Sequence, residues 1–200
     1  MIGADLSPAV VAAARSRRRG LVGVATDVRR LSFRDSSFDV IVSTSTLDHF
    51  PDRAFIRESL EEIHRILVPA GRLILTLDNP VHPLIAVRNR SASFWRRIGV
   101  VPYRVGETLG PRALRAELTA LGFEVVALGA VQHFPRILLV ALERFLPKGT
   151  RRSRSKLLRA ALAWERLRDL PTRYLTGQFV AALARRPPGG SAPSRTRQKS

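Results

Sequence analysis

An α/β fold with a mostly parallel sheet is what this sequence predicts, and three observations carry the prediction. Short apolar, β-branched runs recur at residues 2–6, 21–25, 38–43 and 72–77. Helical patterns separate the first from the second and the third from the fourth, long enough to cross over a sheet and return in the same direction. Most of these runs end at or just before an acid or a hydroxyl, at Asp5, Asp27 and Ser43.

Residues 2–5 read as a strand with an acidic tip. Ser7 and Pro8 then supply a helix N-cap and a proline at the first helical position, ahead of Val10, Val11 and Ala14. Gly20 closes that helix, and residues 21–25 form a second strand leading to Thr26 and Asp27. Phe38 to Ser43 alternates little, as expected of a parallel strand covered on both faces. Ile56, Leu60, Ile63 and Leu67 are spaced four, three and four apart, which makes one apolar stripe along a helix over 52–68. Glu58, Glu61 and Glu62 lie off that stripe, His64 and Arg65 suit the C-terminal end of the helix dipole, and Pro69-Ala70-Gly71 forms the stop.

Residues 72–77 form a further buried strand. From 78 to 110 the rhythm loosens around Pro80, Pro83 and Pro102, with Phe94, Trp95 and Tyr103 adding aromatic bulk, as in a cap or substrate insertion. Pro111 opens a helix with Leu114, Leu118 and Leu121 on one face, Gly122 ends it, and residues 123–128 form a strand. A short apolar helix over 136–146, a basic loop at 151–154, an amphipathic helix over 156–170 and a last strand over 177–184 complete the pattern. The expectation is one domain over 1–184, with a disordered basic tail at 185–200 that opens on Pro187-Pro-Gly-Gly.

Composition narrows the function classes. With no cysteine there is neither a disulfide framework nor a thiolate metal site, and four histidines without ligand spacing give no zinc site. No apolar run approaches the roughly 20 residues of a membrane span, and the N-terminus lacks a signal-peptide pattern, so a soluble cytoplasmic protein is the expectation. Peripheral contact with a membrane stays open. The formal charge of +18 is nearly all arginine, since lysine occurs only at Lys148, Lys156 and Lys199. Arginines scattered over helical faces argue against specific nucleic-acid recognition, while weak salt-sensitive attraction to phosphate is expected.

Ligands of an open parallel sheet sit at the carboxyl ends of the strands, where Asp5 and Asp27 fall, and a carboxylate there can accept two hydrogen bonds from the vicinal hydroxyls of a ribose. Taken alone, Asp5 serves equally well as an acid flanking a helix N-terminus. Four blocks in order settle the reading: Ile2-Gly-Ala-Asp5-Leu-Ser-Pro; Thr26-Asp27-Val28 with the run from Leu31 to Ser43; Leu47-Asp-His49-Phe; and Glu62-Ile-His-Arg65-Ile-Leu-Val-Pro69-Ala-Gly71. Together they resemble the class I S-adenosylmethionine-dependent methyltransferases, and within them the type 11 group of small-molecule enzymes. The resemblance implies a Rossmann-like fold, S-adenosyl-L-methionine as cofactor and a small-molecule methyl acceptor.

By that resemblance Asp5, with Leu6 beside it, matches the acid that holds the ribose hydroxyls. Asp27 matches the acid that meets the adenine amino group, Val28 the neighbour flanking the ring, and Ser43 and Thr44 the residues near the methionine part. His49, beside Asp48, is the candidate general base, since imidazole titrates near neutral pH. It fits equally as an exposed histidine at a helix entry, and His82 and His133 are the remaining histidine candidates. Ala70 stands where the family commonly has glycine. The larger departure is at the front: the family's first strand and its Gly-x-Gly-x-Gly turn need about 30 residues, and only Met1 precedes the strand that matches the family's second. The expectation is therefore an N-terminally truncated and impaired methyltransferase, with a non-catalytic binding or regulatory domain as the alternative. A nucleic-acid methyltransferase ranks last, because Ser43-Thr-Ser-Thr-Leu47 replaces the Asn/Asp-Pro-Pro-aromatic motif.

Overall fold

A computed structural model describes residues 1–90, 106–134 and 151–189. The chain starts with strand β1 (Ile2–Asp5), helix α1 (Pro8–Arg17) and strand β2 (Val22–Ala25). The Ser7 hydroxyl accepts from the Val10 amide as N-cap, Pro8 stands in the first turn, and Gly20 takes the left-handed conformation that ends the unit. Strand β3 (Phe38–Thr44) leads through a short 3-10 turn (Leu47–His49) into helix α2 (Arg53–Ile66), then strand β4 (Leu67–Asp78) and helix α3 (Pro83–Arg90). Helix α4 (Pro111–Ala120), strand β5 (Glu124–Val131), helix α5 (Arg151–Trp164), a 3-10 segment (Glu165–Asp169), helix α6 (Arg173–Thr176) and strand β6 (Phe179–Arg185) follow. The α/β class is as the sequence predicts. The expected helix over 136–146 lies outside the described residues, as do Phe94, Trp95 and Tyr103.

The strands form two sheets. β1 and β2 pair in parallel, with Ala4 opposite Val24. The other sheet runs β3-β4-β6-β5: β3 and β4 are parallel, and β6 is antiparallel to both of its neighbours. Among the described residues β1 has a strand partner only on its β2 side and β3 only on its β4 side.

Register explains which face is buried. Ser43, Leu75 and Ala182 lie side by side, as do Ile41, Leu73 and Ala184. This face meets the stripe Ile56, Leu60 and Ile63 of α2 and Leu114 and Leu118 of α4, all nearly inaccessible. The expectation that β3 is covered on both faces fails. Val42 and Ile74, neighbours on the opposite face, are 61% and 42% exposed, because among the described residues no helix lies against them.

Three further boundaries differ from expectation. Leu67, read as the end of the helical stripe, caps α2 and opens β4. Pro69-Ala70-Gly71 sit within that strand, as an excursion between the pairs Phe38–Leu67 and Val40–Arg72. Ala70 adopts φ +64°, which costs an L-residue about 1 kcal/mol and glycine nothing. At Gly71 a methyl group would come within 2.8 Å of the Val68 carbonyl oxygen, so that glycine is required by space. Residues 151–154, expected as a basic loop, form the first turn of α5: residues 151–164 contain neither glycine nor proline and are rich in arginine, leucine and alanine, which favour helix. β6 runs through Arg185 and Arg186 is buried, so residues 185 and 186, expected to open the tail, belong to the folded body, held by the Arg186 contacts described below.

Buried imidazoles make this fold sensitive to acid. His64, packed edge-on to Phe123, is held below the usual histidine range by burial and by the Arg186 charge; His82 is lowered by burial and by His133. In the unfolded chain both protonate near their ordinary pKa of about 6.5. The unfolded state then binds more protons, so stability is full above that value and is lost as pH falls toward the depressed folded pKa values. The thermal midpoint is expected to drop between pH 7 and pH 5. An H64Q/H82Q variant should show a flatter profile across that window, as followed by calorimetry.

Candidate functional site

β1, β2 and β3 all present their carboxyl ends to one cleft of about 490 Å³. Its walls include Asp5, Leu6, Asp27, Val28, Ser43, Thr46, His49 and Phe50 at that rim. The facing side chains of β1 and β3, Ile2 and Ala4 against Val40 and Val42, form its floor. Six of the seven residues the sequence nominates are therefore brought together. The seventh, Thr44, is exposed and lies off the lining: the chain leaves the strand at Ser45, whose φ is +51°, and Thr46 takes the position on the wall.

Each acid is held by its own turn. The Asp5 carboxylate accepts the Ser7 amide at 2.8 Å, which fixes it at the mouth of the cleft while its exposed side faces solvent. Asp27 accepts the Arg29 amide at 2.9 Å and is clamped by the Arg29 guanidinium, with Nη2 at 2.6 Å from Oδ2. That guanidinium holds the Asp27 carboxyl below the usual carboxylate range, against the opposing effect of burial. Arg29 is positioned in turn by the Phe55 ring, 4.5 Å from its central carbon, and by Phe50. Nothing in the sequence reading anticipates this clamp, although Asp-x-Arg is a spacing at which the two side chains can meet across a turn.

The loop bearing His49 is built around Asp48. The Asp48 side chain is buried and its Oδ2 accepts the Ser45 hydroxyl at 3.1 Å and the Asp78 amide at 2.9 Å, tying the ends of β3 and β4 together. Its Oδ1 lies 3.9 Å from Nε2 of His49, whose side chain is 59% exposed. From outside, the Glu107 amide donates to the Phe50 carbonyl at 2.7 Å. A methyl group on Gly106 would fall within 2.6 Å of that same carbonyl oxygen and closer still to that of Asp48, so the backbone packs on the loop with no room for a side chain. Neither Asp48 nor Gly106 stands out in the sequence, because what they do depends on contacts between distant segments.

His82 and His133 sit apart from the cleft. His133 is buried, with Nδ1 2.8 Å from the Thr176 hydroxyl and Nε2 3.2 Å from the Ala130 carbonyl, so both ring nitrogens are engaged by the protein. His82 is buried as well, and its Nδ1 has no partner among the described residues.

The cleft fits an adenosine-bearing cofactor at one end. Carboxylates at the tips of β1 and β2 suit hydroxyl and amino donors, Leu6, Val28 and Leu31 offer apolar walls for a ring, and the volume lies in the range of small-molecule sites, about 300–1,000 Å³.

Comparison with known proteins agrees with this geometry. Residues 1–75 match the family model described as "Methyltransferase domain". A "Probable tRNA methyltransferase 9B" of Bos taurus is 35% identical over 74 residues, covering 37% of this chain and 16% of its own length. A "Demethylmenaquinone methyltransferase" of Thermus thermophilus is 29% identical over 144 residues, covering 62% of this chain and 64% of that protein. The chain thus spans less than two thirds of the curated relatives it matches. Among solved structures, a SAM-dependent methyltransferase of Thermotoga maritima, described as a possible histamine N-methyltransferase, superposes with a TM-score of 0.61 at 19% identity, over 92% of this chain and 72% of that one. Strand order, the shared cleft and these likenesses give one conclusion: this chain has the class I S-adenosylmethionine-dependent methyltransferase fold, and its residues 1–75 match the methyltransferase domain family model.

Proposed function

We propose that the chain is an S-adenosylmethionine-dependent methyltransferase acting on a small apolar or ring-containing acceptor. The observation that supports this reading most is the convergence of Asp5, Asp27, Ser43 and His49 on a single cleft at the carboxyl rim. Asp5 would hold the ribose hydroxyls, Leu6 and Val28 would enclose the adenine with Asp27 at its amino group, and Ser43 with Thr46 would line the methionine end. Thr46 thus replaces Thr44 in the assignment. When bound, the cofactor supplies a methyl group on a sulfonium centre that is open to in-line attack.

For the protein, alignment is then the main task. His49 is exposed at the mouth, where it can take a proton from a hydroxyl acceptor, with Oδ1 of the buried Asp48 3.9 Å from its Nε2. An apolar acceptor accords with the aromatic lining from Phe33, Phe38 and Phe50, and with the demethylmenaquinone methyltransferase among the relatives.

His49→Gln is expected to slow methyl transfer to a phenolic or quinol acceptor about a hundredfold, at the lower end of general-base effects, with cofactor affinity unchanged. Radiolabelled methyl transfer to a panel of quinols, phenols and amines reads both the activity and the acceptor class. Transfer to amines or to RNA alone would remove the apolar-acceptor reading; unchanged turnover in His49→Gln would remove the base.

A further inference from the structure

The surface least accounted for by a methyl-transfer site is helix α5. Residues 151–164 hold five cations, Arg151, Arg152, Arg154, Lys156 and Arg159, and no acid. Such a helix on a protein of charge +18 would ordinarily spread its leucines inward. Here Leu158 and Leu162, one turn apart, are each 59% exposed, with exposed Arg159 next to them. The seam against the body lies on another side: Trp164 packs edge-on to Phe134 at 5.6 Å, and the Glu165 carboxylate accepts the amides of Gln132 and His133 at 3.3 and 3.0 Å. The acid that directly follows the helix is thereby turned toward the end of β5, and the helix itself carries five cations and no acid.

Exposed leucines on an arginine-rich helix distinguish between anionic partners. A nucleic acid presents phosphate and base edges to such a surface and gives the leucines nothing apolar to enter. A bilayer of anionic lipids satisfies both, with phosphates at the guanidinium groups and acyl chains beneath the leucines. We propose that α5 is a docking helix that lies on anionic lipid surfaces, with Leu158 and Leu162 inserted among the acyl chains. Its anchor, the Gln132–His133 end of β5, is at the same rim of the sheet as the Asp78 end of β4, since Val131 and Asp78 both pair with Phe179. Docking through α5 therefore brings the rim that bears the cleft toward the surface, from which an apolar acceptor would enter. The docking argument stands on α5 alone and is tested without cofactor or acceptor, so its outcome is separate from that of the methyl-transfer reading.

The test is cosedimentation of the full chain with vesicles of phosphatidylcholine alone and of phosphatidylcholine with 30% phosphatidylglycerol (a proportion of about that size suffices to make the surface anionic). Binding is expected only to the anionic vesicles. An L158S/L162S variant, checked for unchanged helicity by circular dichroism, should partition about tenfold more weakly while keeping its charge. Equal partition of parent and variant would overturn the proposal, because attraction would then be purely electrostatic. Absence of vesicle binding together with tight RNA binding that the serine variant retains would overturn it in favour of a nucleic-acid surface. A lipid-free dimer that the same variant dissociates would overturn it in favour of a second copy of the chain.

Discussion

Adding a strand, a Gly-x-Gly-x-Gly turn and a helix ahead of Met1 is expected to raise the stability of this protein by on the order of 5 kcal/mol and to tighten S-adenosylmethionine binding at least tenfold. The two sheets end on edges that face the same cleft, and the side chains there, Ile2 on β1 and Val40 and Val42 on β3, are 41%, 53% and 61% exposed. β1 and β3 are each the edge strand of a parallel pairing, and parallel strands are ordinarily covered and paired on both sides. A strand between them would join the sheets, pair both edges and bury the valines. Its glycine turn would bring backbone amides close to the methionine end, where the present walls are Ser43, Thr46 and His49. For a chain of this size the gain corresponds to roughly 10–20 °C in melting temperature. Melting and cofactor titration of the extended and present forms side by side check it. Equal values in both would mean that the gap between the sheets has been given the wrong occupant.

Arg186→Met is expected to cost about 3 kcal/mol, seen as a lower thermal midpoint and a lower denaturation midpoint with unchanged slope. Arg186 is buried, and its Nη1 donates toward the carbonyls of His64, Arg65 and Leu67 and the Ser36 hydroxyl, with the Leu67 contact shortest at 2.6 Å. It caps the C-terminal end of α2, where a cation is favoured by the helix dipole, and ties the last strand to the helix that carries the core stripe. None of the ion pairs among the described residues involves it, so among those residues the carbonyls and the Ser36 hydroxyl compensate for its burial. Methionine keeps most of the volume and leaves those carbonyls without a donor. A second effect checks the mechanism: with the nearby charge removed, the His64 pKa should rise toward the ordinary histidine value and the acid sensitivity should lessen.

What the sequence disclosed and what it withheld divide along the range of the interactions. Ser7-Pro8, Gly20, the stripe from Ile56 to Ile63 and Pro111 with Gly122 act within a few residues, and each element they mark lies where their chemistry puts it. That Asp5, Asp27 and Ser43 would share one rim was legible because the carboxyl ends of parallel strands collect there whatever the details. The Asp48 tie between β3 and β4, the Gly106 contact and the Arg186 cap depend on register and on segments up to 150 residues apart, as in the Arg186–Ser36 pair, and the local Asp27–Arg29 clamp is set by the distant Phe50 and Phe55 rings that hold the guanidinium. Thr44 was misplaced because a left-handed residue at Ser45 shifts the chain by a step that no periodicity records. Similarly, the two-sided covering expected for β3 assumed a continuous sheet, which a run of β-branched residues suggests but cannot guarantee.

The central claim is that Asp5 stands where the cofactor's ribose is held, and isothermal calorimetry of S-adenosylmethionine with Asp5→Ala in the extended form tests it most directly. Loss of charge-assisted hydrogen bonds should weaken binding by about 1.5–3 kcal/mol, roughly ten- to a hundredfold, and Asp27→Ala should weaken it less because Arg29 already occupies that carboxylate. Unchanged affinity in Asp5→Ala would show that the cleft at the ends of β1 and β2 is not the cofactor site.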